Sequence, residues 1–227
     1  AVTDEDADTV MEKIVPEDED YLSIFYQRIL YNRYKAETKY FLIEEVYFNM
    51  LSFPGQDVML PLARLEKETV PQSRLKSGIL PEGESYEVEF SGGAAFSDGR
   101  LAGFFSEDDM MAASMMYGDF KTEKVSFEYP KGSGKFVIVQ LAQQKKPEKR
   151  TEIRNGRVYD GTVIYLSATY QFADEGESFG EFTPGFEEYL KNEIKTLCDE
   201  FIKRSVYSYG ADTMSVGKRL KKCFLTN

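Results

Sequence analysis

Residues 162–172 read TVIYLSATYQF, and their alternation decides the fold. Ile164, Leu166, Ala168, Tyr170 and Phe172 fall on one face of an extended segment, and Ser167, Thr169 and Gln171 on the other. One covered face and one wet face is how a mainly antiparallel sheet reads. Two segments upstream, TEKVSFEY (122–129) and KFVIVQLAQQ (135–144), supply further strands, with KKPEKR (145–150) and RNGRVYDG (154–161) expected as turns. Downstream, the chain changes period. After FTPG (182–185), Leu190, Ile194, Leu197, Phe201 and Ile202 recur at helical spacing, predicting an amphipathic helix to about Tyr207. Burying five such side chains contributes roughly 10 kcal/mol before conformational entropy is subtracted. The expected fold class is therefore α+β: a mainly antiparallel or mixed sheet with long amphipathic helices packed on one face, preceded by a smaller helical and mixed segment.

Upstream, SYEVEFSGGAAFSDGRLAGFF (85–105) alternates and turns at Asp98-Gly99, a pair suited to a type I′ hairpin. SEDDMMAASMMYG (106–118) follows as a short helix. Ser106 and Asp109 form a capping-box pattern, acids fill the first turn, and Gly118 marks the stop. Its four methionines read first as core, with a pliable contact surface as the alternative. Residues 1–20 read as an acidic, poorly ordered lead, and residues 20–52 as two helices ended by the Pro-Gly turn of SFPGQD (52–57). VMLPLARLEK (58–67) is extended, with Pro61 suggesting an edge. The loop TVPQSRLKSGILPEGE (69–84) places a boundary near residue 80, dividing residues 1–80 from a C-terminal α+β domain at 81–227.

Composition narrows the chemistry. The 227 residues include no His, so neither a Ser-His-Asp triad nor a His-bearing zinc site can be built. A net charge of −11 disfavours nucleic acid as a partner. Cys198 and Cys223 make no disulfide framework or metal cluster, and Cys198 falls on the apolar face of the long helix. No apolar run approaches the roughly 18 residues of a membrane span. The opening AVTDED, without Met or a signal peptide, leads us to expect a mature form or a soluble excised fragment. KGSGK (131–135) is too short for a phosphate loop and sits between strands, so it reads as a hairpin loop. The acids of SEDD explain themselves as helix-start residues. No cofactor, metal or catalytic residue is expected, and small-molecule binding by this chain alone is not.

The C-terminal stretch YGADTMSVGKRLKK (209–222) raises the one pointed question, whether Asp212 is a site carboxylate or the start of another helix. Val216, Leu220 and Phe224 repeat every four residues after it, which favours a cap, with Gly217 as a close-packing point inside the helix. The basic end, against an acidic start, is either an ordinary helix end or a surface facing anionic lipid or an acidic partner.

Three stretches in order resemble one family. The long helix followed by YGADTMSVGKRLKK, the segment GGAAFSDGRLAGFFSEDD (92–109) and the lead-in LSFPGQDVMLPLARLEK (51–67) are similar to the C subunits of spore germinant receptors, the Ger(x)C lipoproteins. Gly93, Ala95, Phe96, Leu101 and Gly103 match the middle motif, while Thr213, Met214 and Val216 stand where the family favours Ile or aromatic residues. The resemblance implies a noncatalytic receptor subunit on the outer face of the spore inner membrane. It would be held by a lipid anchor outside this chain and act through protein contacts with the receptor's membrane subunits. It also implies that Gly93, Phe96, Gly103, Asp212 and Gly217 are structural. The rival readings are an extracytoplasmic small-ligand-binding module and a His-free carboxylate hydrolase, which needs two acids facing one cleft.

Overall fold

The computed structural model describes residues 57–67, 86–173 and 184–225, with Val2–Thr3 and the single positions Asp6 and Thr9. The two helices expected over 20–52 and the loop at 69–84 lie outside the described residues. Strands β1 (Val2–Thr3), β2 (Val58–Lys67), β3 (Tyr86–Ser97) and β4 (Arg100–Phe105) form one sheet in that order. Helix α1 (Glu107–Tyr117) leads to β5 (Thr122–Glu128), β6 (Phe136–Arg154) and β7 (Arg157–Ala173), which form a second, antiparallel sheet. Helix α2 (Pro184–Lys203) continues into a π-helical turn at Arg204–Ser208, and α3 (Val216–Leu225) follows. The fold is α+β, with its strands divided between two sheets rather than gathered in one.

Local sequence explains most of these elements. Both long hairpins turn on a positive-φ pair: Asp98-Gly99 at 48° and 74°, Asn155-Gly156 at 50° and 72°. A type I′ turn needs both central residues there, and its twist matches the flanking strands. On β6 the residues Val137, Val139 and Leu141 are buried at period two. Opposite them Ile164, Leu166, Ala168 and Tyr170 of β7 pack into the same cluster, on the face that the sequence assigned to the core.

Four expectations are corrected. The KKPEKR stretch is not a turn but part of β6, and the register shifts between Gln143 and Lys145 and again between Lys145 and Glu148. Pro147 has no N–H for the ladder, so the strand accommodates it as an irregularity instead of reversing. Of RNGRVYDG only Asn155-Gly156 turns, and the rest enters β7. The acidic lead is not wholly apart from the fold, because Val2 and Thr3 pair in parallel with Leu62 and Ala63. Pro61 consequently lies on a strand with neighbours on both sides, at a shift in register between Pro61 and Ala63. β2 also pairs along β3, so this sheet joins strands from either side of residue 80.

Helix α1 lies at the centre. Ser106 caps it with a complete capping box, and Gly118 closes it at φ 89°. Every residue from Asp109 to Met116 is buried. Met110, Ala112, Ala113 and Met116 join the core shared with β2, β3, α2 and the C-terminal segment, whereas Met111 and Met115 join the core under the second sheet. A helix apolar all round must be enclosed, which explains why its methionines show no single stripe.

Close approach to side chains of the first core demands glycine at Gly93 and Gly103. A Cβ at Gly93 would meet Met110 Sδ and stand 2.8 Å from its Cε, while one at Gly103 would overlap the Tyr209 ring. Gly93→Ala and Gly103→Ala should each destabilise the protein by roughly 1–3 kcal/mol through overpacking. Gly161→Ala, where nothing lies within 4 Å, should change stability by no more than about 0.5 kcal/mol. Urea unfolding of the three variants checks this ranking.

Burial pushes the Cys198 thiol up from 9.0 to about 12. It likewise raises the Tyr117 hydroxyl, helped by the Asp212 charge. Both groups are neutral when folded and ionise first in the unfolded chain, so their contribution is complete below pH 9 and is lost as pH rises. The melting temperature should fall progressively above pH 9, and Cys198→Ala should reduce that slope in a thermal scan.

Candidate functional site

The segment 209–217 is held by backbone acceptors and short side chains. In the π-helical turn Ser205 is turned inward, where its hydroxyl donates to Ala211 O at 2.7 Å and lies 2.8 Å from Thr213 Oγ1. Tyr209 meets Phe105 edge-on with ring centroids 5.2 Å apart, donates its hydroxyl to Phe104 O and covers Gly103. Ser97 Oγ donates to Gly210 O at 3.2 Å. The C-terminal segment thus lies against the β3–β4 hairpin that carries Gly93, Phe96 and Gly103.

Asp212 is the centre of this arrangement. Its carboxylate accepts from Val216 N at 2.8 Å and Gly217 N at 2.7 Å, the first N–H groups of α3. It does so from three residues before the helix-flanking position, which Ser215 occupies with φ 56°. Its own N–H donates to Asp57 Oδ2 at 2.7 Å, and Asp57 N donates to Asp212 O at 3.3 Å. Asp57 Oδ1 also accepts, at 3.4 Å, from Asp98 N in the β3–β4 turn. Asp57, just before β2, is a residue whose role sequence reasoning missed. Its only signal was its place in the Pro-Gly-Gln-Asp lead-in. Phe96 contributes no polar contact; it sits opposite Val58 and Leu101 in the ladder.

Beside this segment a groove of about 980 Å³ runs between β7 and α2, floored by Ile164, Leu166, Ile194 and Cys198 and flanked by Val206 and Tyr207. Tyr207 is 83% exposed. Four acids line the groove, and each has a partner. Asp160 is bound to Arg219 at 2.5 Å and to Thr151, Glu187 to Lys191 at 2.6 Å, Asp199 to Lys195 at 2.5 Å, and Asp212 to backbone N–H groups. Lys191 beside Glu187 holds its carboxyl below the usual range. A general acid requires a carboxyl kept protonated near neutrality, the opposite of this shift. Among the described residues, no group of three or more Cys, Asp or Glu side chains is placed to hold a metal ion.

Asp212→Ala should remove two N–H acceptors and cost about 1 kcal/mol. Millimolar calcium or magnesium should leave the melting temperature of both parent and variant unchanged. A rise in the parent alone would instead make Asp212 an ion ligand.

Comparison with known proteins completes the description. Residues 91–226 match the family model described as spore germination B3/GerAC-like, C-terminal, a span that includes Gly93, Phe96, Gly103, Asp212 and Gly217. No curated protein sequence matches the chain. The crystal structure of the GerBC protein is similar at a TM-score of 0.49 with 11% identity, over 93% of this chain and 54% of that one. This chain therefore spans about half the length of that protein. Since the family model covers more than half of its residues, the chain belongs to the spore germination B3/GerAC-like C-terminal family.

Proposed function

We propose that the chain is part of a noncatalytic subunit of a nutrient-germinant receptor, acting by protein contacts at the outer face of the spore inner membrane. The observation that carries this reading is the family match over residues 91–226. Two features of the molecule support the noncatalytic part. The acids of the groove are each neutralised by a partner, and the Asp212 carboxylate is occupied with helix N–H groups. Gly93, Phe96, Gly103, Asp212 and Gly217 act in this reading by shaping the fold, not by touching a substrate. The partners are the membrane subunits of the same receptor, and a lipid anchor holds the subunit at the membrane. Among the described residues no helix is long and apolar enough to cross a membrane.

A second reading is favoured by the groove, whose apolar floor could hold a small ligand. It lacks a converging set of polar donors for a zwitterion, since its lysines are committed to neighbouring acids.

Spores lacking this chain should fail to lose optical density in response to at least one nutrient, and the intact gene should restore the response. Calorimetric titration of the isolated chain with L-alanine should give no saturable heat. A normal nutrient response in the deletion strain overturns the receptor reading, and a micromolar isotherm moves the function to ligand binding.

A further inference from the structure

The second sheet ends on an edge unlike the others. Its order is β5-β6-β7, and among the described residues β7 pairs with β6 alone. The N–H and C=O groups along the other side of β7 face no strand there. Such an edge is a template for pairing, and proteins blunt it with charges, proline, a bulge, short length or a cover. β5, at the opposite edge, carries Glu123, Lys124 and Glu128. In the first sheet β1 has two residues, and β4 is crossed by Tyr209, which donates to Phe104 O. The central part of β7 has none of these guards. Residues 161–173 are the longest run without a charged residue in a chain that is 30% charged, and they include no proline. The bulges of the hairpin fall on its partner. From Gln143 to Lys145 to Glu148, β6 advances two and then three residues where β7 advances one and then two.

The groove lies beside this edge. Ile164, Leu166 and Ala168 of β7 and Ile194, Cys198 and Ile202 of α2 line it, over a volume of about 980 Å³. The three β7 side chains are only half-buried, although they lie on the core face. On the α2 side Glu187 is paired with Lys191 and Asp199 with Lys195, so that wall offers no net charge. A strand laid along β7 turns every second side chain to the face that α2 covers, and the groove is the space those side chains enter. A lipid chain or another small apolar molecule could fill the groove but would leave the backbone edge unpaired.

We propose that the outer edge of β7 and the groove beneath α2 form a strand-addition site for an extended, uncharged segment of another protein, with apolar side chains at alternate positions. Backbone pairing supplies the affinity, and the groove selects the side chains. Charge complementarity sets the composition, because a lysine or glutamate turned inward would be buried unpaired against Ile164 and Leu166. A second copy of the chain fits less well. The uncharged edge it would offer is its own β7, whose inward side chains already pack on its own α2. The inference rests on the edge and the groove and not on the receptor reading, so either can fail without the other.

The test uses the full chain and a capped, fluorescent peptide of alternating valine and threonine, about ten residues long. Fluorescence anisotropy should show saturable binding that salt does not weaken, since no ion pair forms. The same peptide N-methylated at every amide keeps its side chains and loses its donors, and should not bind. Hydrogen exchange with the first peptide bound should show new protection of alternate amides between Gly161 and Thr169, and none on β5. Ala168→Lys sets an inward-pointing lysine in the groove, and should weaken binding about tenfold or more through the cost of desolvating its ammonium. A thermal melt checks that this variant is folded. Five results would overturn the proposal: no saturable binding, equal binding of the N-methylated peptide, protection that misses β7, undiminished binding by folded Ala168→Lys, or a concentration-dependent dimer that protects the β7 amides without peptide, which would make a second copy the occupant.

Discussion

The structure depends on one charge pair whose acid is buried and whose guanidinium reaches the surface. Asp109 lies in the first turn of α1 and is almost wholly enclosed. Its carboxylate accepts from Ser106 N and Ser106 Oγ at 2.9 Å, and it meets the guanidinium of Arg204 from the π-helical turn after α2. A helix apolar on all sides cannot leave its first N–H groups to water, and the acid that closes its capping box is carried inside with it. A buried carboxylate without a partner is costly, so Arg204 must arrive from elsewhere in the chain. The π-helical turn is the local irregularity at the end of α2 where Arg204 sits, with Ser205 turned inward beside it.

From that pair the rest follows by contact. Phe201, one turn before Arg204, packs at 5.2 Å on Phe105, the last residue of β4. Tyr209, after the π-helical turn, also packs on Phe105 and lies over Gly103. The chain then crosses the β3–β4 hairpin, is fixed by Asp57, and enters α3 under the Asp212 cap. The first sheet, α1, α2 and the C-terminal segment therefore close on one another. The second sheet packs on the other side of α1 and on α2, and Ile164 of β7 reaches both cores. The distal β6–β7 hairpin carries α3 through Arg219, which bonds Thr151 and Asp160.

Much of this was legible in the sequence because it was local. The alternation of 162–172, the Asp98-Gly99 turn, the Ser106–Asp109 box, Gly118 and the stripe of α2 each needed only neighbours at fixed spacing. What escaped required partners far along the chain. KKPEKR carries turn composition, yet pairing with β7 keeps it extended. Asp57 bonds a residue 155 positions away, and Arg204 meets an acid 95 positions away. Gly103 needs its missing Cβ only because Tyr209 arrives over it. Its motif position marked it as constrained without saying by what. The candidate site was legible as a question about Asp212; its answer lies in two amides and Asp57, neither visible as a pattern.

The central claim is that α1, locked by Asp109 and Arg204, makes the two cores a single cooperative unit. Native-state hydrogen exchange along a denaturant series tests it most directly. The account predicts that amides of α1 exchange only through global unfolding, at the same free energy as the slowest amides of β3, β6 and α2. Exchange of α1 amides at a clearly lower free energy than those of the two sheets would contradict it, since the helix could then open while the sheets remain folded.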